Sequence, residues 1–124
     1  MNNNDLQYIN EISYGYWKAQ ALFVASELDL FTLIGERGKS GKVITKKLGT
    51  NYRATEMLLN ALVSLKLLKK SRDIFSNTAV SKRCLSKNGT AYQGDRIQHF
   101  HNMWDYWSKL GTAVKSGKPT AFKG

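Results

Sequence analysis

Apolar residues in the first 26 positions follow a spacing that predicts one amphipathic α-helix over residues 5–26. The positions on one face recur at three- and four-residue steps: Ile9, Ile12, Tyr16, Ala19 and Phe23. Tyr14, Trp17 and other apolar residues occupy the remaining sides, so the second half of this helix is apolar nearly all round. Such a helix must be covered on more than one side, and a chain of 124 residues offers little else to cover it. We therefore expect the helix to contact another chain or domain.

Two short helices joined by a glycine turn are predicted in the middle of the chain. Ser40 can cap the first helix, and Gly49 can end it in the left-handed conformation that glycine adopts without penalty. Asn51 or Thr50 can cap the second helix, which is expected over residues 52–65. This arrangement predicts a helix-turn-helix.

A further short helix is expected just before it, with Asp29 as its cap and the glycine-containing residues 35–38 at its end. In the two helices of the helix-turn-helix, apolar residues at helical steps are expected to face the core. They are Val43, Ile44 and Leu48 in the first helix, and Met57, Leu58, Ala61, Leu62 and Leu65 in the second.

Two short strands follow, over residues 67–70 and 74–78, on either side of a polar turn, and they predict the β-hairpin wing of a winged helix. After a loop at residues 87–90, a long helix is expected from about residue 92 to 115. One face of it carries an apolar stripe with helical spacing: Ile97, Phe100, Trp104, Trp107, Leu110 and Val114. The chain is thus expected to be mostly α, a winged helix-turn-helix with a short β-hairpin wing and long flanking helices at both ends.

Basic residues are concentrated where the helix-turn-helix is predicted. The formal net charge is +10, and residues 39–90 hold 12 lysines and arginines against Glu56 and Asp73. This excess favours nucleic acid or an acidic surface as a partner, although solvated surface lysines or an acidic remainder of a longer protein would also account for it.

A DNA-binding domain of this kind would place its second helix in the major groove. Arg53 could read a guanine there, and Lys46, Lys47 and Arg72 could contact phosphates. Glu56, however, would face the phosphates, and winged helices also serve as packing modules. A winged-helix DNA-binding transcription regulator is therefore the alternative function.

Several chemistries are not expected in this chain. His99 and His101 are two residues apart on a predicted helix, so their side chains point about 200 degrees apart and cannot share a metal ion. The glycines do not form a phosphate-binding loop, and no catalytic site is recognisable. Cys84 is the single cysteine and has no disulfide partner within the chain, which favours a reducing compartment. Because no membrane-spanning run or signal peptide is visible either, we expect a cytoplasmic protein with no membrane partner.

Short motifs in a fixed order give the chain a resemblance to a known family. They are Gly15-Tyr16-Trp17-Lys18, Leu28-Asp29-Leu30-Phe31, Lys47-Leu48-Gly49-Thr50, Arg53-Ala54-Thr55-Glu56-Met57-Leu58-Leu59-Asn60-Ala61-Leu62, His99-Phe100 through Trp107, Ala113-Val114 and Gly117-Lys118-Pro119. With these motifs the chain resembles, over nearly its whole length, the amino-terminal dimerisation domain of S-adenosylmethionine-dependent O-methyltransferases of the acetylserotonin and hydroxyneurosporene methyltransferase type.

The resemblance implies a winged-helix dimerisation domain over residues 1–116 and the start of a linker, residues 117–124, to a catalytic domain that is absent from this chain. The full-length protein would be a homodimer that uses S-adenosylmethionine to methylate a small aromatic or ring-bearing hydroxy compound. By itself, this chain would bind no cofactor and methylate nothing.

The resemblance also implies a substrate-capping role for this domain. The side chains that it points to are Phe100, His101, Trp104, Trp107, Tyr14 and Trp17. Trp104 falls where the family has a bulky side chain that lines the substrate pocket, whereas Tyr14 and Trp17 would reach the pocket of the partner subunit. From the residues alone, a plain core role for the aromatic stripe is the alternative.

Overall fold

The computed structural model describes residues 2–119, most of which are helical, together with a small antiparallel sheet. The helices are α1 (Asn3–Ser13), α2 (Gly15–Glu27), α3 (Leu30–Ile34), α4 (Gly41–Leu48), α5 (Tyr52–Ser64), α6 (Ala79–Cys84), α7 (Gly94–Asn102), α8 (Trp104–Ser108) and α9 (Leu110–Ser116). The strands are β1 (Lys39–Ser40), β2 (Leu68–Ser71) and β3 (Ile74–Asn77). Helices α4 and α5 with the β2–β3 hairpin form the winged helix-turn-helix, which confirms the expected fold class. Residues 120–124 of the expected linker lie outside the described residues.

The caps of the helix-turn-helix are the ones that the sequence predicts. The Ser40 hydroxyl accepts a hydrogen bond from the backbone N–H of Val43 at 3.2 Å. The Asn51 side chain accepts one from the backbone N–H of Ala54 at 2.9 Å. Gly49 ends α4 with φ +68°, the left-handed conformation expected of it. Each cap satisfies a backbone group that the helix itself leaves without a partner, so both helices start at the predicted positions.

The long helix predicted at each end is divided into shorter segments. At the amino end, Tyr14 separates α1 from α2. At the carboxyl end, Met103 and Lys109 separate α7, α8 and α9, and each donates its N–H to the carbonyl oxygen three residues before it, at 3.1 Å. Such bonds tighten a helix for one turn, so each interruption covers a single residue.

Three local predictions are wrong. Asp29 does not cap α3, because its own backbone is left-handed with φ +56°, and its carboxylate lies 3.2 Å from the ammonium group of Lys87 instead. Val43 and Met57 were expected in the core, but both are exposed. Their helices bury a narrower stripe than the apolar spacing suggests, with Ile44 at the centre of one and Leu59 of the other.

The sheet joins the wing to the segment before the helix-turn-helix. Strands β2 and β3 form the predicted hairpin, with Lys70 opposite Phe75. The short strand β1, which is not predicted from the sequence, pairs antiparallel with β3 and places Ser40 opposite Ile74. The strand order is therefore β1-β3-β2. Helix α6 was also missed.

The hydrophobic core lies where α2, α3, α4 and α5 meet the sheet. Its buried members are Ala25, Leu30, Phe31, Ile34, Ile44, Leu59, Leu62, Leu68, Phe75, Leu85 and Ile97. Helix α1 contributes no buried residue. The core therefore holds together the middle of the chain and leaves the outer faces of both terminal regions uncovered.

Candidate functional site

An apolar pocket of about 430 Å³ lies where helix α2 packs against α7, and it extends along α8. Its lining residues are Ala19, Phe23, His99, Phe100, Met103, Trp104 and Trp107. Aromatic rings form most of the wall, so the pocket suits a flat, ring-bearing ligand.

Helical spacing explains why these side chains meet. Ala19 and Phe23 are four residues apart on α2 and share a face. On the other wall, Phe100, Trp104 and Trp107 follow at steps of four and three residues and point the same way. Because Ala19 is small, it leaves space between the two walls.

The ring of Phe23 stands between two other rings. It stacks on the imidazole of His101, with ring centroids 5.3 Å apart and an interplanar angle of 19°. It also meets the indole of Trp104 edge to face, with centroids 6.3 Å apart and an angle of 86°. Both are favoured geometries for ring pairs, so Phe23 has a defined orientation in the pocket wall.

His101 packs behind this wall and reaches α2 with its polar edge. Its Nδ1 lies 3.3 Å from a carboxylate oxygen of Glu27. The approach does not meet hydrogen-bond geometry, and this buried Nδ1 has no hydrogen-bond partner within residues 2–119. The carboxylate of Glu27 therefore lies close to the polar edge of the imidazole without a formed hydrogen bond.

Two further side chains contact the ring of Phe100. The guanidinium group of Arg96 sits 5.4 Å from the centroid of the Phe100 ring, in a cation–π arrangement. The ring of His99 approaches the same phenyl ring at 5.8 Å. Of these two groups His99 belongs to the pocket lining, so its imidazole adds a polar edge to a wall that is otherwise apolar.

The pocket is open on one side. Trp107 is 64% exposed, and Phe100 is exposed as well, so a plain core role for the aromatic stripe is wrong for these two residues. Only Ile97 of the stripe is buried. Large aromatic side chains in contact with water usually mark a surface that something else covers.

Three of the residues implied by the resemblance line this pocket together: Phe100, Trp104 and Trp107. His101 lies behind Phe23, as described above. Tyr14 lines a separate shallow groove on α1, and Trp17 is half-buried and lies outside the pocket lining. The pocket lining also contains four residues that were not predicted from the sequence as site residues: Ala19, Phe23, His99 and Met103. Ala19 and Phe23 do fall on the predicted face of the first helix, which is the signal that could have found them.

Helix α1 presents a second uncovered apolar surface. Its exposed apolar side chains, together with those just after it, are Leu6, Tyr8, Ile9, Ile12, Tyr14 and Tyr16. A solvated helix normally keeps polar residues on the outside. This face, here called the α1 face, therefore has the composition of an interface.

The start of α4, the start of α5 and the wing surround a polar depression of about 440 Å³. Lys42 and Lys70 line it, but so do Glu56 and Asp73. A hydrogen bond to Glu56 is the largest cause that raises the pKa of the Tyr52 phenol, followed by loss of water contact and the negative charges of Glu56 and Asp73. The basic and acidic groups balance here, which does not favour a polyanion such as DNA.

The described range holds no group of three or more histidine, cysteine, aspartate or glutamate side chains placed to bind a metal ion. Cys84 is half-buried and packs against the core. Within residues 2–119, no helix is long and apolar enough to span a bilayer.

Comparisons with known proteins give consistent matches. Residues 10–87 match the family model of the O-methyltransferase dimerisation domain. Acetylserotonin O-methyltransferase from Gallus gallus is 32% identical over 119 residues, which cover 90% of this chain and 34% of that protein. The structure of an O-methyltransferase family protein from Burkholderia thailandensis matches with a TM-score of 0.81 at 32% identity, over 94% of this chain and 35% of that one. Human N-acetylserotonin methyltransferase, solved in complex with SAM, matches with a TM-score of 0.83 at 27% identity, over 94% of this chain and 36% of that one.

The chain spans about a third of the length of the curated relatives that it matches. The comparisons give no support to the alternative of a DNA-binding regulator.

Proposed function

We propose that this chain, which belongs to the O-methyltransferase dimerisation domain family, joins two copies of the protein and covers one side of a substrate pocket. The observation that carries the proposal is the presence of two uncovered apolar surfaces on one small domain, the α1 face and the aromatic pocket. Exposed apolar surfaces of this kind mark sites of interaction with another protein or a ligand.

We assign the α1 face to the contact between subunits. Ile12 is 65% exposed and has apolar neighbours along the same helix, while α1 buries none of its residues within the described chain. Burying such a face against a second copy removes apolar surface from water, which is the main driving force of association. A homodimer is the simplest assembly that covers the same face on both copies.

We assign the aromatic pocket to the substrate. Its rings suit a small aromatic or ring-bearing hydroxy compound, and relatives whose names state a methyl acceptor include acetylserotonin O-methyltransferases. Phe100, Trp104 and Trp107 would contact the substrate, His101 would support the wall, and Tyr14 and Trp17 would approach the pocket of the partner subunit. These roles come from the resemblance and from the positions of the side chains.

We assign the methyl donor, S-adenosylmethionine, to a part of the full-length protein outside this chain. The sequence contains no glycine-rich nucleotide-binding loop of the kind that holds a nucleotide cofactor. The domain proposed here would orient the acceptor and exclude water from it, while the donor and the catalytic base would lie elsewhere.

Light scattering of the chain over a range of concentrations, in moderate salt, tests the first half of the proposal. We expect the mass of a dimer; a monomer at all concentrations would refute the assignment of the α1 face. The full-length gene product, incubated with S-adenosylmethionine and a panel of hydroxylated aromatic compounds, tests the second half. We expect methylated product, and activity on non-aromatic acceptors alone would refute the pocket assignment.

A further inference from the structure

We infer that Glu27 is a positioning residue for the aromatic pocket: its carboxylate acts through His101 to hold the ring of Phe23 in the pocket wall. The inference rests on the proposed function of the pocket. It adds that Glu27, a residue outside the pocket lining, influences the shape of the pocket. It depends on three successive contacts, between Glu27 and His101, between His101 and Phe23, and between Phe23 and Trp104.

The first contact joins the end of α2 to α7. Glu27 is the last residue of α2, and its side chain is 58% exposed. The imidazole of His101 is mostly covered, with Nδ1 3.3 Å from the carboxylate. A carboxylate at this distance interacts with the polar edge of the imidazole and so favours one orientation of the ring.

The second contact transmits this orientation to the pocket. The imidazole stacks on Phe23 at 19°, close to parallel, and a rotation of the imidazole about its terminal torsion would break the stack. That torsion is soft in histidine, so the ring needs an outside restraint to keep one orientation. Nδ1 lacks a hydrogen bond within residues 2–119, and the Glu27 carboxylate is the polar group that the structure places beside it.

The third contact lies in the pocket itself. Phe23 meets Trp104 at 86°, and both rings line the cavity. If Phe23 loses the stack on its outer side, its edge-to-face contact with Trp104 must also change. The width of the space available to a flat ligand would change with it.

Methionine methyl groups provide a matched pair of reporters for this chain of contacts. Met103 lines the pocket, whereas Met57 is 68% exposed on α5 and is absent from the pocket lining. With methyl-labelled methionine, NMR spectra of the 124-residue chain would report the pocket through Met103 and the rest of the fold through Met57. The ring probe is 2-naphthol, a flat hydroxylated two-ring compound.

Four variants define the test: Glu27→Gln, His101→Asn, the double variant of both, and the control Glu36→Gln. Glu36 is also an exposed carboxylate, and it lies 3.9 Å from the ammonium group of Lys82. It is absent from the pocket lining and belongs to another ion pair. Thermal unfolding and the unchanged Met57 signal establish that each variant is folded.

We expect Glu27→Gln to shift the Met103 methyl signal in the free chain and to weaken 2-naphthol binding about twofold to fivefold, the range of a partly exposed ion pair. Glu36→Gln should change neither. If Glu27 acts through His101, the double variant should bind no more weakly than His101→Asn alone.

The inference is overturned if Glu27→Gln leaves the Met103 signal in place, or if the two single effects add in the double variant. If instead the pocket does not bind ring-bearing compounds, so that the proposed function fails, adding 2-naphthol would not shift the Met103 signal of the unsubstituted chain. The free-chain shift of Met103 still tests Glu27 in that case.

Discussion

The side-chain amide of Asn77 donates a hydrogen bond to the backbone carbonyl oxygen of Phe31 at 2.9 Å, across 46 residues of sequence. The same amide nitrogen lies 3.3 Å from the carbonyl oxygen of Gly35. Gly35 directly follows α3, and the Phe31 oxygen also accepts the backbone N–H of Gly35 at 3.3 Å, so the Asn77 amide binds the carbonyl groups at the carboxyl end of that helix. One buried side chain at the end of the wing therefore completes a helix that lies elsewhere in the sequence.

We expect Asn77→Ala to destabilise the chain by about 2–4 kcal/mol, because the substitution removes the two hydrogen bonds of the buried amide to Phe31 and Gly35 and opens a cavity. Urea unfolding followed by circular dichroism measures this loss. The control Asn88→Ala changes an exposed asparagine and should shift the free energy of unfolding by less than about 0.5 kcal/mol. Equal effects at the two positions would show that the bridge from Asn77 to α3 contributes no stability.

The α1 face makes a prediction about assembly. We expect Ile12→Asp to weaken dimer formation at least tenfold, on the order of 1.4 kcal/mol, because a charge would have to be buried between the subunits. The fold of the subunit should survive, since Ile12 is exposed in it. Sedimentation or light scattering over a concentration series measures the change.

Met57→Asp is the matched control, because Met57 is as exposed as Ile12 but lies on α5. Loss of the dimer in both variants would point to a general effect of charge, and retention of the dimer in Ile12→Asp would remove the α1 face from the interface.

Local capping was predictable from the sequence because each cap joins residues that are three positions apart. Ser40 and Asn51 bond to backbone groups within their own helices, so no distant part of the chain is needed to fix the start of either helix. Hydrophobic spacing likewise predicted the wing, whose strands are adjacent in sequence. The resemblance then gave the family, which the comparisons confirmed.

Features that depend on distant contacts were not predictable in this way. Asp29 is a good capping residue by type, but its pairing with Lys87 is set by a loop 58 positions away in the sequence. The wall of the pocket formed by Ala19 and Phe23 depends on how α2 packs against α7, which neither helix encodes alone. Strand β1 exists only because β3 lies beside it.

The phenol of Tyr52 makes a prediction about pH. Its pKa is raised above 10.0, first by the hydrogen bond to Glu56 and then by loss of water contact and nearby negative charge. A raised pKa means that the folded state favours the neutral phenol. The contribution of this phenol to the free energy of unfolding is therefore complete below pH 10 and is lost as pH rises through the raised pKa. We therefore expect Glu56→Gln to lower the pKa of Tyr52 toward its ordinary value.

NMR titration of the labelled tyrosine ring carbons measures this shift, with Tyr52→Phe to assign the signal. As a control, Glu11→Gln removes a carboxylate on α1 and should leave the pKa of Tyr52 unchanged. An unchanged pKa in Glu56→Gln would mean that the hydrogen bond to Glu56 is not formed in solution.

The two tryptophans of the pocket should respond differently to truncation. Trp107 is largely exposed, so Trp107→Ala should cost less than about 0.5 kcal/mol of stability. Trp104 is half-buried and touches Phe23, so Trp104→Ala should cost more, about 1–3 kcal/mol of stability.

Both substitutions should weaken binding of a flat ring, about threefold to tenfold for Trp107, because a single ring contact contributes about 0.5–1.5 kcal/mol. The dissociation constant of 2-naphthol and the free energy of unfolding, measured on the same samples, separate the two effects. As a control, Met57→Ala should leave the affinity for 2-naphthol unchanged. If the full-length protein with Trp104→Ala binds 2-naphthol as tightly as the unsubstituted protein, the substrate-lining role proposed for Trp104 is wrong.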